Sequence, residues 1–196
     1  MKTTFQRTSH RGFTLPELLI VISIIAILAA IAFPATSLVM NQARKAQAAQ
    51  QVAGLVNAIK LYETTYSVLP VGLGGGEDEV PTDQDFVDIL TGHDRDQNPK
   101  QTAFLEGKEA KKAAGRKPAR SGFINEGNGS QSLVDPWGNY YIVIMDFNDD
   151  KEIDVPDSEN PVRAKAVAWS YGKPSSASDY KSAKQNPQSK WLTSWK

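Results

Sequence analysis

The spacing of apolar residues changes character along this chain. Residues 18–40 carry no charge and are mostly Ile, Leu, Val and Ala, a run long enough to cross a hydrocarbon core as a helix, which takes about 20 residues. From residue 41 the apolar positions thin out to helical spacing. Ala46, Ala49, Val52, Ala53, Val56, Ile59 and Tyr62 or Leu61 trace one stripe, with Gln, Lys and Asn on the other side. One long helix is therefore expected, membrane-spanning in its first half and amphipathic over 41–66, with a kink at Pro34, where a ring replaces an N–H. The amphipathic half needs a cover for its apolar stripe.

The cover comes from the far end, where the pattern turns to strands. NYYIVIMDF is apolar on both faces until Asp146, as a central strand would be. EIDV reads as a short return strand. RAKAVAWS places Ala164, Ala166 and Ala168 on one face, small enough for a helix to pack closely. Asp135-Pro136-Trp137-Gly138 has Asp, Pro and Gly where a type I turn prefers them. The expected fold class is α+β: a long N-terminal helix packed against a small C-terminal antiparallel β-sheet. Between the two, PTDQDFVDILTG reads as a short helix, with Thr82 and Asp83 as capping candidates and Gly92 as its stop. The remainder of 67–132 reads as variable loop.

Glu17 stands at the threshold of the apolar run. A charged side chain at the middle of a bilayer costs about 2.5–3.5 kcal/mol even on lenient insertion scales, and an anchor needs none. Lys2, Arg7 and Arg11 precede the run, which puts the short N-terminus in the cytoplasm and the rest outside. Three readings compete. The segment is a plain anchor, or a secretory signal with Ala30-Ile31-Ala32 as cleavage site, or a leader that ends at Gly12. Only the last explains Glu17: cleavage after Gly12 frees an amine on Phe13, and one subunit's carboxylate pairs with another's amine in a packed bundle. Stripping a partner from such a buried pair costs about 3–5 kcal/mol, so staggered side-by-side packing would be selected. Ala26, Ala29, Ala30 and Ala32 permit close helix approach.

RGFTLPELLIVI at 11–22 closely resembles the prepilin motif of type IV pilins and type II secretion pseudopilins. The resemblance implies cleavage between Gly12 and Phe13 by a prepilin peptidase, N-methylation of Phe13, and a role for Glu17 in filament assembly. Less tightly, DPWGNYY, the SYG at 170–172 and the terminal WLTSW are similar to elements of the major pseudopilin. The parts then follow: a leader at 1–12, a transmembrane and assembly helix at 13–40, and an extracytoplasmic pilin-like domain at 41–196, with its sheet region at 133–196. The implied partners are a homopolymer and other pilins or pseudopilins, the inner-membrane assembly platform and exported proteins. A type II secretion pseudopilus is the first reading. A surface pilus (adhesion, twitching, DNA uptake) and a membrane-tethered binding module are the alternatives.

Composition trims the other functions. The 196 residues balance 22 basic against 22 acidic side chains. Residues 1–12 hold three of the bases and no acid, so the body without them is slightly acidic. There is no cysteine and only His10 and His93, which removes thiol chemistry and leaves little for a histidine triad or zinc site. GxSxG, P-loop and HExxH motifs are missing, and a non-enzymatic protein is expected. The basic segment 108–120 has no interleaved aromatic and reads as a solvated loop, so no specific nucleic acid is expected. Gly72 to Gly76 fails as a phosphate cradle, with Glu77, Asp78 and Glu79 beside it.

One metal candidate remains. Asp146, Asn148, Asp150, Glu152 and Asp154 alternate through a turn, as oxygen ligands do in calcium loops, although Lys151 stands where an EF-hand has its glycine. Calcium on Asp146, Asn148, Asp150 and Asp154 is one reading and a plain polar hairpin turn is the other, and no cofactor is required. The resemblance places family calcium in the loop after SYG, where Lys173 and Pro174 stand and only Asp179 is in reach.

Overall fold

The computed structural model of the protein describes residues 14–70, 78–111, 119–127, 129–156, 158–173 and 191–195, with backbone alone for 31–37. The chain divides into two compact units, Met1–Gln42 and Ala43–Lys196. Helix α1, Leu15–Tyr66, contributes to both and runs through Pro34 without ending there. In the first unit its large side chains from Leu15 to Leu28 are all exposed.

In the second unit α1 buries Ala48, Val52, Leu55, Val56, Ala58, Ile59 and Tyr62. Val52, Val56, Ile59 and Tyr62 of the expected stripe are therefore in the core, whereas Ala46, Ala49 and Ala53 are exposed, as is Leu61, and Ala48, Leu55 and Ala58 are buried in addition. Alanine brings little area to a core, so the larger Leu55 sets the buried face, at about 25 cal/mol per Å² of apolar surface.

Four antiparallel strands form the sheet that covers this face. They are β1 (Val80–Pro81), β4 (Ile142–Met145), β5 (Ala166–Ser170) and β6 (Leu192–Thr193), in the order β1-β4-β5-β6. Register pairs Val143 with Ala168 and Met145 with Ala166. All four of those side chains join the helix-side core, and the alternate residues Ile142, Ile144, Val167 and Trp169 form a second core on the opposite face. The run IVIM is apolar throughout because both its faces are covered. Ala166 and Ala168 lie on the helix side as expected, but Ala164 precedes β5 and packs with the second core.

The EIDV return strand is a correction. Only a single antiparallel bridge forms, Ile153 with Val162.

Between α1 and the main sheet the chain is more ordered than a loop reading allows. Helix α2 (Gln84–Thr91) starts at Asp83, whose side chain accepts from the Phe86 N–H, and stops at Gly92, φ 85°. Thr82 does not cap it. Its hydroxyl donates to the Leu133 carbonyl at 2.7 Å and accepts from the Tyr141 N–H at 2.9 Å. A two-stranded hairpin follows, β2 (Gly122–Asn125) with β3 (Gln131–Val134). Four-residue strands are too short to show a period, which is why the sequence did not announce them.

Candidate functional site

The start of α1 is the first candidate site. Gly12 and Phe13 lie outside the described residues. Beside them Glu17 Oε2 accepts from the Thr14 backbone N–H at 2.8 Å and from the Thr14 hydroxyl at 2.7 Å. Leu18 N–H closes the first helical bond onto the Thr14 carbonyl at 3.2 Å. Thr14 and Glu17 thus form part of a capping box, in which an acid three residues into the helix reaches back to an orphan N–H. Pro16 stands in the first turn, where an N–H would have no helical partner in any case. The Thr-x-x-Glu spacing could have been read from the sequence, and it gives Glu17 a structural use within one chain.

The second site is a polar knot that gathers the C-terminal motifs. Asp135 is fully buried. Its Oδ1 accepts from the backbone N–H groups of Trp137, Gly138 and Asn139 at 2.7–2.9 Å, the turn expected of DPWG. Its Oδ2 accepts from the Ser170 hydroxyl at 2.7 Å and from Asn139 Nδ2 at 3.1 Å. Asn139 Nδ2 also reaches the Gly172 carbonyl at 3.1 Å, and Gly172 N–H donates to Ser170 Oγ at 3.0 Å. DPWGN and SYG are therefore one unit. Burial pushes the Asp135 carboxyl up from its ordinary value, while the donors from Ser170, Asn139 and Trp137 pull it back.

WLTSW completes the knot. Trp191 stacks on Trp169 with ring centroids 5.9 Å apart, and Trp195 meets Trp169 edge-on at 5.8 Å. Ser194 N–H donates to the Ala168 carbonyl, and Ser194 Oγ accepts the Ala168 N–H, both at 3.0 Å. Residues 174–190, with Asp179, lie outside the described residues. Their two flanks are pinned to the same strand.

The third site is the turn from Asp146. Asp146 is buried, and its Oδ2 accepts the Lys151 N–H at 3.1 Å. Asn148 Oδ1 accepts the Asp150 N–H at 3.0 Å, and Asp150 Oδ1 accepts the Glu152 N–H at 2.8 Å. Lys151 takes φ 65°, the conformation a glycine would supply, despite its side chain. Lys165 lies 3.4 Å from Asp146 Oδ2 and 3.9 Å from Glu63, and also pairs with Asp149. Asp154 is exposed beyond the buried Ile153. Among the described residues no three His, Cys, Asp or Glu side chains gather to hold a metal, so two carboxylates and an amide are what this turn offers. An open cleft of about 470 Å³ beside it is lined by Glu63, Ser67, Leu69, Asp146, Asp149 and Lys165 among others.

A helix with exposed large apolar side chains in its first unit, and a sheet laid over its second half, defines an α+β fold. The chain's residues 7–33 match the prokaryotic N-terminal methylation motif, so its N-terminus is similar to that of prepilin-type pilins and pseudopilins. No curated protein and no solved structure matches the chain significantly. Among the described residues no helix is long and apolar enough to cross a membrane. In the sequence, the uncharged run of 18–40 passes through residues 31–37, whose side chains lie outside the description.

Proposed function

We propose that this chain is a structural subunit of a type II secretion pseudopilus, polymerising through its N-terminal helix to help drive protein export. A prepilin peptidase cleaves between Gly12 and Phe13, and the new amine is methylated. Residues 13–40 anchor the subunit in the inner membrane until it enters the filament, with 41–196 on the outer side. Glu17 directs assembly by pairing with the Phe13 amine of a neighbouring subunit. The role is mechanical and needs no catalytic group. The assembly platform, other pseudopilins and exported proteins are its partners.

The observation that carries the reading is the methylation motif at 7–33 on a helix whose large apolar side chains from Leu15 to Leu28 are each at least 46% exposed. Apolar area on that scale is covered by lipid or by neighbouring helices. The lean towards a pseudopilus over a surface pilus rests on the similarity of DPWGN, SYG and WLTSW to elements of the major pseudopilin. Intact mass with N-terminal fragmentation, on protein from its native membrane, tests the processing. A chain starting at Phe13 with one added methyl is expected, and a start at Phe33 or Met1 overturns the filament reading. Gene deletion then separates the systems: retained exoproteins are expected, whereas lost adhesion, twitching or DNA uptake would make this a surface pilin.

A further inference from the structure

The Asp146 turn holds an oxygen atom that its own fold does not use. Asp146 Oδ1 is buried and has no hydrogen-bond partner, while Oδ2 of the same carboxylate takes both the Lys151 N–H and the Lys165 ammonium. A buried carboxylate oxygen without a donor costs about 1–3 kcal/mol or more, and a bound cation is a direct way to offset it. We propose that this turn is a calcium site, with Asp146 Oδ1, Asn148 Oδ1, Asp150 Oδ2 and the Glu152 carbonyl as its protein ligands. The proposal does not rest on the filament reading.

The arrangement follows calcium-loop logic. Counting Asp146 as the first position, oxygen side chains fall on the first, third and fifth, and a backbone carbonyl on the seventh. The sixth position must turn sharply, usually as glycine; here Lys151 supplies that left-handed turn and donates its N–H to the first-position carboxylate. The Asp150 N–H on Asn148 Oδ1 and the Glu152 N–H on Asp150 Oδ1 fix both side chains toward the turn. Asp150 Oδ2 meanwhile takes Asn148 Nδ2 at 3.0 Å, a weak donor that a cation would replace. The Glu152 side chain is directed elsewhere, to Arg163 at 3.4 Å, so only its carbonyl serves. Lys165 sits on the Oδ2 edge with Asp149 and Glu63 as further partners, and leaves Oδ1 free. Oxygen-only donors of this kind suit a hard cation. The few fixed ligands favour calcium, which tolerates irregular geometry, over magnesium, which demands an octahedron. Water fills the remaining positions.

The test is isothermal titration of the full chain in detergent with calcium chloride, repeated with magnesium chloride, and with melting followed by circular dichroism. Saturable calcium binding with Kd about 10⁻⁴–10⁻³ M is expected, the range of extracellular modules. A rise in melting temperature of about 3–6 °C at a tenfold excess over Kd should accompany it. Asp146→Asn risks misfolding at a buried position, so the working variant is N148A/D150A, both on the exposed turn. It should keep the circular dichroism spectrum and weaken calcium at least tenfold. No saturable heat up to about 10 mM calcium, ten times the weakest expected Kd, overturns the proposal. So does unchanged affinity in N148A/D150A, which would put the ion elsewhere, and so does magnesium binding as tightly as calcium.

Discussion

The Ser170 hydroxyl donates to Asp135 Oδ2 at 2.7 Å across 35 residues of sequence, both groups fully buried. This bond ties the turn that launches β4 to the end of β5. Ser170→Ala should therefore destabilise the fold by about 1.5–3 kcal/mol, the range for a hydrogen bond to a charged group. Asp135→Ala, which removes five hydrogen bonds at once, should exceed about 4 kcal/mol, the range reserved for broken buried networks. Urea unfolding of the full chain in detergent checks both, and equal small losses would show the knot to be ornamental.

Because burial raises the Asp135 carboxyl above its unfolded value, the folded chain holds that proton more tightly. The contribution is fully present below about pH 3.9, the unfolded aspartate value, and is lost as pH rises through the folded value. Ser170 lowers the folded value by bonding the charged form. The stability gap between the native chain and Ser170→Ala should then widen from acid to neutral pH. Urea midpoints of both chains at matched pH values measure it. A gap independent of pH would mean that Asp135 does not change charge across the range.

How legible this was from sequence differs residue by residue. Asp83 and Gly92 bounded α2 as read, because caps and left-handed stops are local chemistry. The both-sided apolar run of β4 announced two covered faces. The large members of the helix stripe, Val52, Val56, Ile59 and Tyr62, lie in the core as read, whereas Ala46, Ala49 and Ala53 do not, because alanine is compatible with either face. The strands of the β2–β3 hairpin are too short to show a period, and Thr82 is held by bonds to Leu133 and Tyr141, which no local pattern carries. DPWGN and SYG were each visible, but their meeting at Asp135 was not, since that is a property of the register between β4 and β5. Thr14-x-x-Glu17 carries a local capping signal in the sequence itself.

Two glycines should respond in opposite directions to alanine. Gly122 has φ 147°, and an added Cβ would lie 2.2 Å from the Lys108 carbonyl oxygen, a backbone atom with no freedom to move aside. Gly122→Ala should cost about 3 kcal/mol or more, through strain and a displaced strand. Gly54 lies within α1, and nothing stands within 4 Å of an added Cβ. Gly54→Ala should stabilise the isolated chain by about 0.4–1 kcal/mol by restricting the unfolded state. Melting curves of the two variants test the pair, and a loss of stability in Gly54→Ala would reveal a contact that one subunit alone does not contain.

Leu55 and Leu61 mark the buried and exposed sides of α1 in the second unit. Leu55 is 0% exposed and Leu61 is 55% exposed. Leu55→Ala should cost about 2–5 kcal/mol through lost burial and the cavity left behind, and Leu61→Ala less than about 0.5 kcal/mol. Comparable losses, measured by urea unfolding, would place the sheet on the other stripe.

Glu17 now has two accounts, and glutamine tells them apart. Within one chain the side chain caps the helix by accepting from the Thr14 N–H and hydroxyl. A capping box accepts Gln as well as Glu at that position, since the amide oxygen can take the same donors. Glu17→Gln should therefore leave helicity, membrane insertion and processing at Gly12 unchanged. Pairing with a neighbour's amine is a different matter, because it requires the charge. If Glu17 acts in assembly, Glu17→Gln should abolish filaments by electron microscopy while intact mass still shows a chain starting at Phe13. Thr14→Ala, which removes one donor and no charge, should still polymerise. Filaments of Glu17→Gln at native yield would reduce Glu17 to a helix cap, and the selectivity of packing would have to come from the small residues Ala26, Ala29 and Ala30 instead.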